Sequence, residues 1–187
     1  MKLLESVLQA NQNFVSRDAK IFPTVSKIPR KKVAIFTCMD TRLVEFLEPA
    51  LGISRGDAKI IKNAGNTILD PYGGVIRSFV AAIFLLDVEE ILIIGHKDCG
   101  MANVDSKVLK EKMLERGISN EAIEAITDLK QWVGAIKNSE ENVINVVNIV
   151  RKSPLIPSDI PIHGLIFCPE TGSLEVLQEG YRETKGK

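Results

Sequence analysis

The chain has 187 residues, 45% apolar and 26% charged, a length that suits one domain of the usual ~100–200 residues with its own core. Lys and Arg number 24 and Asp and Glu number 24, so the basic surplus that broad nucleic-acid or anionic-membrane binding requires is missing. The longest apolar run, Phe79–Leu86, is far short of the ~20 residues of a membrane span, and the opening MKLLESVLQANQN lacks the apolar region and small-residue cleavage site of a signal peptide; the expectation is one soluble, cytoplasmic globular domain over 1–187, with no nucleic-acid or membrane partner.

In chain order, a first helix is expected over Leu3–Gln12, within about residues 1–15. Its partial apolar stripe of Leu4, Val7 and Leu8 can pack at home or on a partner subunit. Val33–Thr37 reads as a strand, followed by a helical segment Thr41–Leu51 that stops at Gly52. Lys59–Lys62 is a short second strand, Gly74–Leu86 an apolar buried helix, and Ile91–Ile94 a third strand. From about Val104 to Lys152 the pattern is helical throughout. Ala122, Ile126, Leu129, Val133 and Ile136 recur at spacings that form one helix face. Ser139 is placed to cap a further helix, with Glu140 and Glu141 in its first turn and Arg151 and Lys152 in its last; Pro154 ends it. Gly164–Cys168 is a fourth strand, and the turn Pro169-Glu170-Thr171-Gly172 leads into an antiparallel hairpin strand, Leu174–Leu177. Runs of buried strand alternating with helices predict an α/β fold: a mostly parallel central sheet flanked by helices, with an antiparallel edge strand. No internal repeat, phosphate-binding loop or dinucleotide fingerprint is present.

The three cysteines, Cys38, Cys99 and Cys168, make a poor disulfide framework. Cys168 reads as a small hydrophobe. Cys38 directly follows the first strand, His96 lies just past the third, and Cys99 is three residues on. In an open parallel sheet, ligands bind beyond the carboxyl ends of the strands, so these side chains converge on one region. Two thiolates and an imidazole suit Zn2+, and three protein ligands leave a fourth position open. Asp40 or a water can fill it. Arg42 can hold the Asp40 carboxylate through two parallel hydrogen bonds, so Asp40 has two competing partners, the metal and Arg42. Lys62, Lys97, Asp98 and His163 are expected to be solvated or structural.

Cys38-Met39-Asp40-Thr41-Arg42, Asn63-Ala64-Gly65-Asn66 and Gly95-His96-Lys97-Asp98-Cys99-Gly100 follow one another in the order found in the β-class carbonic anhydrases. The chain resembles that family from about Val33 to Cys99, most of all its compact prokaryotic and archaeal members. Gly56-Asp57-Ala58, Val75-Ile76-Arg77-Ser78 and His163-Gly164 agree with it. The resemblance implies that Cys38, His96 and Cys99 bind zinc, with Asp40 as a displaceable fourth ligand. It implies that Asp40 and Arg42 form the catalytic dyad, and that zinc-bound hydroxide converts CO2 to bicarbonate. It also implies a homodimer or larger even-numbered assembly, with the N-terminal helix lying on the neighbour. One departure stands out: many plant-type members carry a substrate-contacting glutamine nine residues before the first zinc cysteine, and this chain has Pro29 there. The same scaffold could serve a CS2 or COS hydrolase, and a non-catalytic zinc protein would keep Asp40 on the metal. A cysteine-dependent redox enzyme or phosphatase is disfavoured, because there is no Cys-x-x-Cys and no arginine-closed loop after Cys99.

Overall fold

The computed structural model of the chain describes residues 2–18 and 24–181. Five strands form one sheet: β1 (Val33–Cys38), β2 (Ala58–Asn63), β3 (Glu90–His96), β4 (Ile162–Phe167) and β5 (Leu174–Gln178). Their order is β2-β1-β3-β4-β5. The first four run parallel and β5 is antiparallel to β4, so the predicted α/β architecture with its antiparallel edge is the one found. Every residue of β1 and of β4 is buried, as expected of largely apolar strands covered on both faces.

Seven α-helices accompany the sheet among the described residues: α1 (Leu3–Asp18), α2 (Leu47–Ala50), α3 (Gly74–Leu86), α4 (Ser106–Glu115), α5 (Asn120–Glu124), α6 (Leu129–Trp132) and α7 (Ser139–Lys152). One face of the sheet packs Ala34, Phe36, Ile91 and Ile93 against Ile76 and Phe79 of α3 and Val143, Val146, Val147 and Val150 of α7. The other face gathers Val33, Ile35, Ile94, Leu165 and Phe167 with Leu43 and Leu47, and continues into Cys38 and Cys99. Helix α7 lies very close to the sheet because Gly95 has no side chain. A Cβ there would stand 2.5 Å from Cγ2 of Val143, well inside van der Waals contact.

The structure alters several expected elements. The segment Thr41–Leu51 is not one helix. It is a 3-10 turn over Thr41–Leu43 and the single-turn α2, separated by Glu45 at φ 55°, a left-handed conformation that interrupts any right-handed helix. The stripe from Ala122 to Ile136 is likewise divided. Helix α5 ends at Glu124, and Asp128 starts α6 by accepting the backbone N–H of Gln131 at 2.9 Å, so Ile126 falls between helices. The cap of α7 is Asn138, whose side chain accepts the Glu141 N–H at 2.7 Å; Ser139 is its first helical residue. Helix α1 runs longer than expected, to Asp18, and Leu3, Leu4, Val7, Leu8, Phe14 and Val15 on it are all exposed.

Candidate metal centre

Adjacent parallel strands β1 and β3 end side by side, Thr37 opposite Ile94. Cys38 is the last residue of β1 and His96 the last of β3, rather than just past it. The chain then turns through Asp98, at φ 53°, to present Cys99. The ligand atoms of Cys38, His96 and Cys99 all lie within 4.8 Å of one another, and all three residues are buried. The two sulfurs are 3.9 Å apart. A tetrahedral zinc with Zn–S bonds of about 2.3 Å separates its sulfurs by about 3.8 Å, so the pair is spaced for that ion.

The imidazole is oriented for the same purpose. Nδ1 of His96 lies 2.9 Å from the carbonyl oxygen of Lys97. A carbonyl only accepts, so Nδ1 carries the proton and Nε2 offers its lone pair. Nε2 is buried and has no hydrogen-bond partner. An orphaned buried nitrogen beside two thiols is the signature of an atom reserved for a metal, with a backbone carbonyl fixing the tautomer. The residues present therefore fit zinc.

Electrostatics agree. The hydrogen bond from Cys99 draws the Cys38 thiol down to about 4 against the cost of burial, with His96 and the backbone N–H groups of Gly65 and Asp40 adding to the effect. The same thiol–thiolate contact, together with burial, pushes Cys99 up. The pair shares one proton, which a cation would displace. Burial opposes a charge on His96, but the neighbouring Cys38 thiolate outweighs it and moves the imidazole upward.

The wall beside Cys38 is the turn Ala64–Asn66. Gly65 sits at φ 68°, and a Cβ there would meet Met101 at 2.9 Å, so the position demands glycine on both counts. Asn142 of α7 braces this turn, donating to the carbonyl oxygens of Gly65 at 3.0 Å and Asn66 at 3.2 Å. In front of the sulfurs lies an open cleft of about 370 Å³ lined by Cys38, Asp40, Arg42, Gly65, Cys99 and Met101.

Asp40 and Arg42 meet as the sequence suggests. Nε and Nη2 of Arg42 donate to Oδ1 and Oδ2 of Asp40, both at 3.0 Å, and the Arg42 backbone N–H donates to Oδ1 at 2.9 Å. These bonds hold the Asp40 carboxyl down at about 2. Oδ2 of Asp40 stands 3.7 Å from Nε2 of His96, at the open side of the cluster.

Two further acidic residues, neither linked to Arg42 by the sequence reading, also reach it. Nη1 lies 3.1 Å from Oδ2 of Asp98 and 3.5 Å from Oε1 of Glu170, and Nη2 donates to the Asp98 carbonyl oxygen at 2.7 Å. Asp98, expected to be solvated or structural, is exposed but engaged with Arg42. Cys168 is not a buried hydrophobe. It is half-buried, just beyond β4, and its thiol donates to Oε2 of Glu170 at 3.1 Å. Lys62 pairs with Glu48 at 3.0 Å. His163 is buried on β4, far from the cluster.

Comparison with known proteins agrees with this architecture. The family described as carbonic anhydrase matches residues 33–174. A Bacillus subtilis (strain 168) protein named "Putative carbonic anhydrase YvdA" is 43% identical over 185 residues, covering 97% of this chain and 94% of that one. A carbon disulfide hydrolase of Acidithiobacillus thiooxidans is 30% identical over 183 residues, covering 91% of this chain and 87% of that one. The crystal structure of β-carbonic anhydrase isoform I from Trichomonas vaginalis superposes with a TM-score of 0.93 at 42% identity, covering 97% of this chain and 100% of the other. With its sheet order, the cysteine–histidine cluster at the strand ends and these matches in agreement, the chain belongs to the β-class carbonic anhydrase family.

Proposed function

We propose that the chain catalyses the reversible hydration of carbon dioxide to bicarbonate at a zinc ion held by Cys38, His96 and Cys99. The observation that carries this reading is the position of Asp40. It stands at the open side of the three ligand atoms but is turned to Arg42, which leaves a fourth position for water. When bound, zinc supplies Lewis-acid activation of that water.

The chain's own residues do the rest. Two thiolates cancel the charge of a divalent ion, so acidification of the water is weaker than in a three-histidine site and a hydrogen-bond acceptor beside it matters more. Asp40 is that acceptor, ionised because Arg42 depresses its carboxyl, and Arg42 fixes the direction in which Oδ2 points. Gly65 and Met101 give the cleft an uncharged wall beside the sulfurs, suited to a neutral linear substrate that needs no cationic clamp on entry. A second reading, hydrolysis of CS2 or COS, is favoured by the 30% identity to a carbon disulfide hydrolase, since both substrates are neutral and linear like CO2.

We further read the chain as one cytoplasmic domain that pairs with a second copy through the exposed apolar residues of α1. No helix among the described residues is long and apolar enough to cross a membrane.

The deciding experiment is stopped-flow CO2 hydration measured beside CS2 and COS hydrolysis on protein of known zinc content. CO2 turnover that follows zinc content and exceeds both sulfur substrates is expected. Turnover confined to CS2 or COS replaces this reading with the second, and zinc-loaded protein without any of the three activities ends both.

A further inference from the structure

The Arg42 guanidinium has five N–H donors and makes four hydrogen bonds with them. Nε and one N–H of Nη2 serve Asp40, and the other N–H of Nη2 serves the Asp98 carbonyl. Nη1 donates to the Asp98 carboxylate and lies 3.5 Å from Oε1 of Glu170, an ion pair without a hydrogen bond. One cation is thus ringed by three carboxylates, one more than pairing with Asp40 and a single neighbour would need. The three arrive from different places: Asp40 from the end of β1, Asp98 from the turn between His96 and Cys99, and Glu170 from the turn between β4 and β5.

Resting on the reading of Asp40 and Arg42 given above, we infer that Asp98 and Glu170 are positioning residues. They anchor the far edge of the Arg42 guanidinium so that its near edge holds Asp40 away from the metal position. A guanidinium is a rigid planar fork. Held by Asp40 alone, the two side chains could swing together toward the cluster. Held also on Nη1, Arg42 stays put, and Asp40 must give up three hydrogen bonds to leave it, two from the guanidinium and one from the backbone. The anchors are themselves fixed. The left-handed backbone at Asp98 aims both its carbonyl and its carboxylate at Arg42, and the Cys168 thiol holds the second oxygen of Glu170.

The balance can be read without turnover. Full-length protein loaded with cobalt(II) in place of zinc is titrated with imidazole, at a pH where imidazole is neutral, and followed by visible absorption. A metal whose fourth position is occupied by Asp40 must release it before imidazole binds, so apparent affinity falls with the open fraction. Asp98→Asn with Glu170→Gln should weaken imidazole binding by about 2- to 5-fold, the range expected of exposed ion pairs, with cobalt stoichiometry unchanged. Glu170→Gln alone, remote from the ligands, should shift it in the same direction by less, and Arg42→Ala by more. If instead the carboxylates merely compete with Asp40 for Arg42, their removal tightens binding. Tighter or unchanged binding in the double variant overturns the inference while an effect of Arg42→Ala leaves the dyad standing. If Arg42→Ala also changes nothing, the reading of the dyad falls with it. Should the double variant fail to take up cobalt, Glu170→Gln decides, and wild-type affinity there overturns the inference.

Discussion

Oδ2 of Asp40 lies 3.0 Å from Nη2 of Arg42 and 3.7 Å from Nε2 of His96, so one carboxylate oxygen stands between a cation that holds it and a buried nitrogen that lacks a partner. The first prediction follows from how few ligands surround that nitrogen. Among the described residues, Cys38, His96 and Cys99 are the only group of three placed to take a metal. Purified protein should carry about one zinc per chain, and Cys38→Ala, His96→Ala and Cys99→Ala little. Elemental analysis checks this. Full zinc in Cys99→Ala would remove that residue from the site.

Packing at Gly95 yields a second. An alanine Cβ would press on Cγ2 of Val143 at 2.5 Å and Cδ1 of Ile166 at 3.2 Å, and overpacking of this kind costs about 1–3 kcal/mol. Gly95→Ala should lower the melting temperature by several degrees, and adding Val143→Ala should restore part of the loss by making room. Since Gly95 directly precedes His96, zinc affinity should fall along with stability. A Gly95→Ala protein as stable as the wild type, or a double variant worse than the sum of the two, would contradict the close packing of α7.

A third concerns acid. Nδ1 of His163 accepts the Gly180 backbone N–H at 3.1 Å, so a proton on Nδ1 would face another donor. Burial lowers the pKa of this imidazole, outweighing the Glu90 carboxylate whose Oε1 lies 3.2 Å from Nε2. The unfolded chain takes up a proton as pH falls below about 6.5, while the folded chain resists until lower pH. The unfolded state therefore binds more protons in that window, and stability drops as pH falls through it, being fully present above. Urea denaturation at about pH 7.5 and pH 5.5 should show the loss. In His163→Asn, whose Oδ1 can keep the Gly180 bond without titrating, the difference should shrink. An equal difference in both proteins would exonerate His163.

The fourth concerns proton export. The sequence holds two histidines. His96 faces the cluster, and His163 lies four positions back along β4 from Phe167, the partner of His96, about 13 Å away at the usual rise of a strand. No imidazole is free to shuttle protons from the cleft. Hydration should rise with pH, because two thiolate ligands cancel the charge of the ion and weaken its acidification of water. Imidazole-type buffers should raise kcat at saturating CO2 and leave kcat/KM nearly unchanged. A flat profile between about pH 6 and 9, or indifference to buffer at saturation, would reject this account.

The strands were legible because their composition is dictated by burial. Val33–Phe36 and Ile91–Ile94 are unbroken apolar runs, and both lie within strands of the central sheet. Cys38, His96 and Cys99 were legible because all three lie within five residues after such a run. The helical breaks were not. Glu45 adopts φ 55° although nothing in its side chain asks for it, and tertiary packing of Leu43 and Leu47 into the core dictates the detour. The apolar stripe from Ala122 to Ile136 satisfies a helical period yet loses to the cap at Asp128, a local hydrogen bond that periodicity ignores. Asp98 was visible as an acidic residue between two ligands, but nothing in the sequence tied it to Arg42, 56 residues away. Glu170 carried no signal, because its nearness to Arg42 depends on where the turn after β4 lands.

The thiols of Cys38 and Cys99 are separated by 61 residues in sequence and come together only across the β1–β3 pairing. That pairing is non-local, and non-local contacts form late because the intervening chain must first be ordered. The cluster is therefore a reporter of sheet assembly: metal uptake during refolding marks the moment when the central strands align. Until then each cysteine is an ordinary exposed thiol, open to oxidation or mispairing with Cys168. Refolding yield should depend on a reductant more than on added zinc, which has no assembled cluster to grip until the strands have met.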